Sequence, residues 1–182
     1  TVAILYNFPS NPTGATITES QRDELLAFAQ KHDLWLITDE VYDRIVFDGE
    51  HVSFVGSDDE RVILINSFSK TFAMTGWRIG YAAGPNTIIK AMSKIQGQAT
   101  SCANSVGQKA GITALLGDQS CVEEMKNAFL KRRDLMVELL NDTPGIKCAK
   151  PSGAFYAFPD FSAYLNRKGN NKLLKDTFDI SE

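Results

Sequence analysis

Lys70 stands in the run SFSKTFAMTGWRIGYAAGP, residues 67–85, between Ser67 and Ser69 on one side and Arg78 eight positions on. A lysine that attacks a carbonyl must be partly neutral, which calls for shelter from water or a neighbouring positive charge. Arg78 is such a charge. Two hydroxyls and a guanidinium also suit a phosphate, because the guanidinium can bind two of its oxygens at once. Asn11, Asp39 and Tyr42 extend the set. An ionised carboxylate pairs with a protonated ring nitrogen and makes that ring a better electron sink. A phenol and an amide hydrogen-bond a ring oxygen. Such a group of side chains matches pyridoxal 5'-phosphate. Asp39 is assigned to the ring nitrogen, Asn11 and Tyr42 to the 3-oxygen, Lys70 to the aldehyde, and Ser67, Ser69 and Arg78 to the phosphate.

Each residue alone has an ordinary explanation. Asn11 sits in a turn-forming NPTG, an Asp at a strand end is often a cap, and Tyr42 packs well with its hydroxyl wet. Their joint placement is the argument. Residues 2–8, LWLITDEVY and RVILINSFSK read as strands, the last two with the continuous apolar runs of a parallel sheet. Asn11 follows the first, Asp39 and Tyr42 end the second, and Ser67, Ser69 and Lys70 end the third. In open α/β sheets ligands bind beyond the carboxyl ends of the strands.

Between the strands, Thr18 and Gln21 form a capping-box pattern, and Leu25, Leu26, Phe28 and Ala29 give a helical face up to about Lys31. WRIGYAAG predicts a fourth strand, followed by a helix over 86–98. SVGQKAGITALLG predicts a helix closed by Gly117. CVEEMKNAFLKRRDLMVELLND predicts a longer one, ended by Pro144 and Gly145, with Val122, Met125, Phe129, Leu135, Met136, Leu139 and Leu140 near one face. Short strands in IKCAKPSGAFYAFPDF, a polar loop NRKGNNK and a last helix complete the chain. The fold class expected is α/β: a mostly parallel-sheet cofactor-binding domain over 1–117, a long connecting helix over 118–143, and part of a smaller α+β domain over 144–182.

With 43% hydrophobic and 23% charged residues the chain has ample core material, and its net charge of −3 gives no nucleic-acid footprint. No apolar run approaches the roughly 18 residues of a membrane span. Cys102, Cys121 and Cys148 are odd in number and lack metal-ligand spacing, which points to reduced thiols in a cytoplasmic protein. His32 and His51 lie in polar surroundings and read as surface residues, so no metal site is expected. Trp35 and Trp77 read as core or sheet-packing residues. The chain opens directly in an apolar strand and closes inside a helix, as an excised fragment does.

NPTG, DEVYDRIVFDG and SFSKTFAMTGWRIGYAAGP together resemble the fold type I, class I aminotransferases, and most nearly the bacterial aspartate aminotransferases of subgroup Ib. IIKAMSKIQGQATS and PSGAFYAFPDFS extend the likeness to about residue 165. The resemblance implies transamination between aspartate or a similar amino acid and 2-oxoglutarate in a homodimer. Lys70 would form the internal aldimine and shuttle the proton between substrate Cα and cofactor, and Asn11 would also hold the substrate's α-carboxylate. It implies that GAFY forms a small-domain strand near the substrate entrance. It places a glycine loop, a ring-stacking aromatic and a partner-lent tyrosine before Thr1, and a carboxylate-binding arginine after Glu182. The 182 residues by themselves are therefore expected to be inactive. SCANS, residues 101–105, departs from the family pattern near the cofactor phosphate. Competing readings are prephenate or aromatic transamination, carbon–sulfur lysis on the same scaffold, and the effector domain of a transcription regulator.

Overall fold

A computed structural model describes residues 1–56, 60–169 and 172–181. Four strands form the main sheet: β1 (Ala3–Asn7), β2 (Trp35–Asp39), β3 (Val62–Ser67) and β4 (Gly80–Ala83). They lie in that order, the first three parallel and β4 antiparallel to β3. The register sets Asn7 opposite Asp39 and Asp39 opposite Ile65. The carboxyl ends of three strands thus open at one edge, as the strand assignments require.

Helix α1 (Glu19–Lys31) makes the crossover from β1 to β2. Its start is fixed by the expected capping box: the Gln21 N–H donates to Thr18 Oγ1 at 3.3 Å, and the Thr18 N–H donates to Gln21 Oε1 at 2.9 Å. A cap of this kind contributes about 1 kcal/mol. Leu25 and Leu26 then pack on Leu36, Phe54 and Val62, joining the helix to the sheet.

The second crossover, residues 40–61, contains no helix among the described residues. It is organised instead around the buried carboxylate of Glu40, which accepts from the Phe54 N–H at 3.0 Å and lies 2.6 Å from His51 Nε2. His51 is therefore not the surface residue expected. Burial works to raise the Glu40 carboxyl's pKa, but the bonds from His51 and Phe54 outweigh it, and the net shift is downward.

After β4 come α3 (Asn86–Ala99), α4 (Ser105–Leu116) and α5 (Ser120–Asp142). Asn104 caps α4 by accepting from the Gly107 N–H, and Gly117 follows its end as expected. On α5 the apolar face divides. Val122 is buried, and Met125 and Phe129 pack on Tyr42 and Ile45, whereas Leu135, Met136 and Leu139 are more than half exposed. Trp35 lies half-buried in β2, but Trp77 is exposed in a 3-10 turn before β4 and not in the core.

The remaining elements are short: β5 (Lys147–Cys148) with β6 (Pro159–Asp160), β7 (Lys168–Gly169) with β8 (Lys172–Leu173), and α6 (Thr177–Ser181). The expected polar loop 166–172 thus carries a small hairpin, with Asn170 and Asn171 outside the described residues, as is Glu182. Segment 151–157 joins the main body. Gly153 donates its N–H to Gly14 O at 2.8 Å, and Val46 bridges Gly153. Gly14 must be glycine: its φ is +67°, and a Cβ there would lie 2.3 Å from Pro151 Cβ. That close approach ties the loop carrying Asn11 to the GAFY segment.

Candidate active site

Lys70 is delivered by a single turn of helix, α2 (Phe68–Thr71), that starts where β3 stops. Ser67 caps this turn: its Oγ accepts from the Ser69 N–H at 3.0 Å while its hydroxyl donates to Ile79 O at 3.1 Å. Ser67 Oγ also lies 2.9 Å from Ser69 Oγ. Phe68 is buried against Met74 and Ile79 and anchors the turn, which leaves Ser67, Ser69 and Lys70 only half-buried. Lys70 Nζ lies 5.4 Å from the centroid of the Phe155 ring. No ion pair involves Lys70 or Arg78 among the described residues.

Asn11 and Asp39 are linked through a residue that sequence reasoning passed over, Asn7. Asn7 accepts the Asn11 N–H on Oδ1 at 2.9 Å and donates Nδ2 to Asp39 O at 3.2 Å. Asp39 Oδ1 accepts the Val41 N–H at 3.2 Å, which leaves the carboxylate further acceptor capacity. Asn7 was findable in principle, since it ends β1 directly opposite Asp39. Tyr42 lies in the turn three residues past the end of β2, buried, not in the strand itself.

The GAFY segment reaches further into the site than its expected place near an entrance. Phe155 stands edge-on to Tyr42 at 5.3 Å, and the hydroxyls of Tyr42 and Tyr156 are hydrogen-bonded to each other. Burial first, then the bond to Tyr156 and the nearby negative charge of Asp39, hold the Tyr42 phenol well above its ordinary range. In such a pair one hydroxyl spends its proton on the other, and the second keeps its own to donate.

Beside the Lys70 turn lies an open groove of about 890 Å³ whose walls include Ser67, Ser69, Arg78, Cys102 and Asn104. It brings together the three residues assigned to a phosphate, and the divergent SCANS segment forms part of its wall. Arg78 donates one bond, from Nη1 to Thr75 O at 2.9 Å, and its other donors remain for a ligand. Two cations free of carboxylate partners, two hydroxyls, and a carboxylate three residues before a buried phenol form a donor set that fits a phosphorylated pyridine. Metal ligation does not: no cluster of three metal-ligating side chains occurs among the described residues.

Comparison with known proteins shows the family. Residues 1–178 match the family model described as aminotransferase class I and II. The chain belongs to that family, whose chemistry depends on pyridoxal phosphate. It is 40% identical to the aspartate aminotransferase of Streptomyces avermitilis over 185 aligned positions, covering 100% of this chain and 45% of the relative. It is 39% identical to the aspartate/prephenate aminotransferase of Cereibacter sphaeroides, covering 94% and 45%. The crystal structure of the Rhizobium meliloti aspartate aminotransferase superposes with a TM-score of 0.90 at 39% identity, over 98% of this chain and 46% of that one. The chain thus spans a little under half the length of these relatives. Among the described residues no helix is long and apolar enough to cross a membrane.

Proposed function

We propose that the protein carrying this chain is a pyridoxal phosphate-dependent transaminase moving an amino group between aspartate, or a similar amino acid, and 2-oxoglutarate. The observation that carries this reading is the position of Lys70. It lies against Phe155, at the strand edge that also bears Asn11, Asp39 and Tyr42, and beside a groove lined by Ser67, Ser69 and Arg78. The names of the two relatives support aspartate as donor, and one of them also supports prephenate as an alternative oxo-acid partner. Exposed apolar residues such as Ile95, Val106 and Leu116 are consistent with the homodimer the resemblance implies, working in the cytoplasm.

When bound, pyridoxal phosphate supplies a carbonyl that condenses with amines and a ring that accepts the electrons released at the substrate's Cα. The chain's own residues do the rest. Ser67, Ser69 and Arg78 would bind the phosphate and so orient the ring. Asp39 would hold a proton on the ring nitrogen, and Tyr42 and Asn11 would hold the 3-oxygen. Asn11 also orients the substrate's α-carboxylate. Lys70 would hold the cofactor at its aldehyde carbon, and its amine would take and return the proton at the substrate's Cα. The Phe155 ring excludes water from one side of the amine.

The test is Lys70→Ala in the protein expressed from its complete reading frame, incubated with pyridoxal phosphate, reduced with borohydride and mapped by mass spectrometry. Label on Lys70 in the unsubstituted protein, with loss of both label and transamination in the variant, is the expected result. Retained turnover in the variant would sink the assignment.

A further inference from the structure

We propose that Asp43 is a positioning residue that sets the Lys70 turn against Tyr42. This rests on the reading of Lys70 given above. Asp43 directly follows Tyr42 and sits half-buried. Its Oδ2 accepts from Asn66 Nδ2 at 3.0 Å, and its Oδ1 accepts from Thr71 Oγ1 at 3.0 Å. Oδ1 also accepts the Arg44 N–H at 2.8 Å, which fixes the carboxylate's rotation.

The two side-chain donors bracket the functional turn. Asn66 directly precedes Ser67 and passes the contact on, its Oδ1 accepting the Ser67 N–H at 2.7 Å. Thr71 directly follows Lys70. One carboxylate therefore grips both ends of the stretch Ser67–Lys70. Asn66 is 5% exposed and Thr71 4%, and Asp43 is the side-chain acceptor of both. Buried donors of this kind are expensive to leave unpaired, so the turn's rotation is locked to the loop that carries Tyr42. Its neighbours add to the lock: the Asp43 N–H donates to Glu40 O at 2.9 Å and the Ile45 N–H to Tyr42 O at 2.8 Å. Nothing in this arrangement brings Asp43 to the reacting atoms. Its effect passes through Ser67 and Lys70.

The experiment follows the rate at which pyridoxal phosphate becomes borohydride-fixed on Lys70, alongside the urea unfolding midpoint. The chain is unsubstituted or carries Asp43→Ala, Asp43→Asn or Thr71→Val. In Asp43→Ala labelling is expected to slow by about tenfold or more, the factor that two lost charge-assisted bonds can produce. In Asp43→Asn it stays within about threefold, because asparagine accepts from Asn66 and donates to the Thr71 hydroxyl, while the Arg44 N–H that it gives up belongs to an exposed residue and turns to water. Thr71→Val, which keeps the volume and removes one arm, falls between them and decides the matter if Asp43→Ala does not fold. Labelling at the unsubstituted rate in the folded Ala or Val variant overturns the positioning role while leaving the reading of Lys70 standing. An Asn variant as slow as Ala also overturns it, since charge and not the pair of bonds would then matter. A lowered urea midpoint with an unchanged labelling rate reduces Asp43 to a structural residue. Absence of label in the unsubstituted protein overturns both proposals together.

Discussion

The hydroxyls of Tyr42 and Tyr156 meet across 114 positions of sequence, joining the turn after β2 to the GAFY segment. Burial, this bond and the Asp39 charge all keep the Tyr42 phenol protonated. A phenol whose folded pKa is raised contributes stability that is present below the unfolded value, near pH 10, and is lost as pH climbs through the folded value. Tyr156→Phe removes the bond and leaves the burial. Its expected effects are a lower titration of Tyr42 in an ultraviolet tyrosinate titration and a loss of about 1 kcal/mol in urea unfolding. An unshifted titration curve would show that the hydroxyl pair does not control Tyr42.

Glu40 and His51 make the opposite prediction at low pH. Because the folded Glu40 carboxyl titrates below its usual range, its contribution is present above the unfolded value, about pH 4.3, and is lost as pH falls through the lowered one. His51→Ala deletes a partner from a carboxylate that is nearly fully buried. The folded pKa then rises, so acid unfolding begins at higher pH. Removing a hydrogen bond from a buried carboxylate costs about 2 kcal/mol at neutral pH. Circular dichroism followed against pH reads both effects, and an acid midpoint that does not move would mean that Phe54 and Ser53 satisfy the carboxylate without His51.

The legible part of this site is the part built from short-range pattern. Lys70, its two serines and Arg78 lie within one short stretch whose chemistry depends on residue type and the end of an apolar run. The capping box of α1 was readable because both its partners are three residues apart. The long-range partners were not. Nothing in GAFY announces that Phe155 will lie over Lys70 or that Tyr156 will meet Tyr42. Both follow from Gly14 and Gly153 drawing two distant loops together. His51 read as a surface residue because its neighbours in sequence are polar, whereas its environment is set by a crossover folded around a buried Glu40. Trp77 read as a core or sheet-packing residue, yet the turn preceding β4 leaves it exposed. Periodicity reports a helix face but not how much of it is covered, so the exposed second half of α5's apolar face was also invisible.

Asp39 separates binding from turnover. If its carboxylate holds a proton on the ring nitrogen, Asp39→Ala leaves Lys70 able to be labelled by pyridoxal phosphate and borohydride while slowing transamination on the order of 10²-fold or more. Parallel measurement of label and turnover decides it. Turnover within a few-fold of the unsubstituted protein would make Asp39 a cap for Val41 and no more.

Arg78 offers a substitution in which stability and binding part company. Its backbone is left-handed, with φ +54° and ψ +48°, a conformation costly for a residue with a Cβ. Arg78→Gly relieves that strain and deletes the guanidinium in one step. The side chain's single bond, to Thr75 O on the exposed 3-10 turn, contributes little to the fold. The urea midpoint of the glycine variant is accordingly expected to match or exceed that of the unsubstituted protein. Binding should move the other way, and selectively. A guanidinium that pairs with a phosphate contributes about 1.5–3 kcal/mol, or about 10- to 100-fold in affinity. That contribution exists only for the phosphorylated ligand. Fluorescence titration with pyridoxal phosphate and with pyridoxal should show a large preference for the phosphate in the unsubstituted protein and a collapse of that preference in Arg78→Gly, with pyridoxal affinity unchanged. If the variant keeps the preference, Ser67 and Ser69 hold the phosphate without help and Arg78 faces solvent for another reason. If it loses affinity for both ligands alike, the glycine has loosened the groove and not removed a phosphate contact.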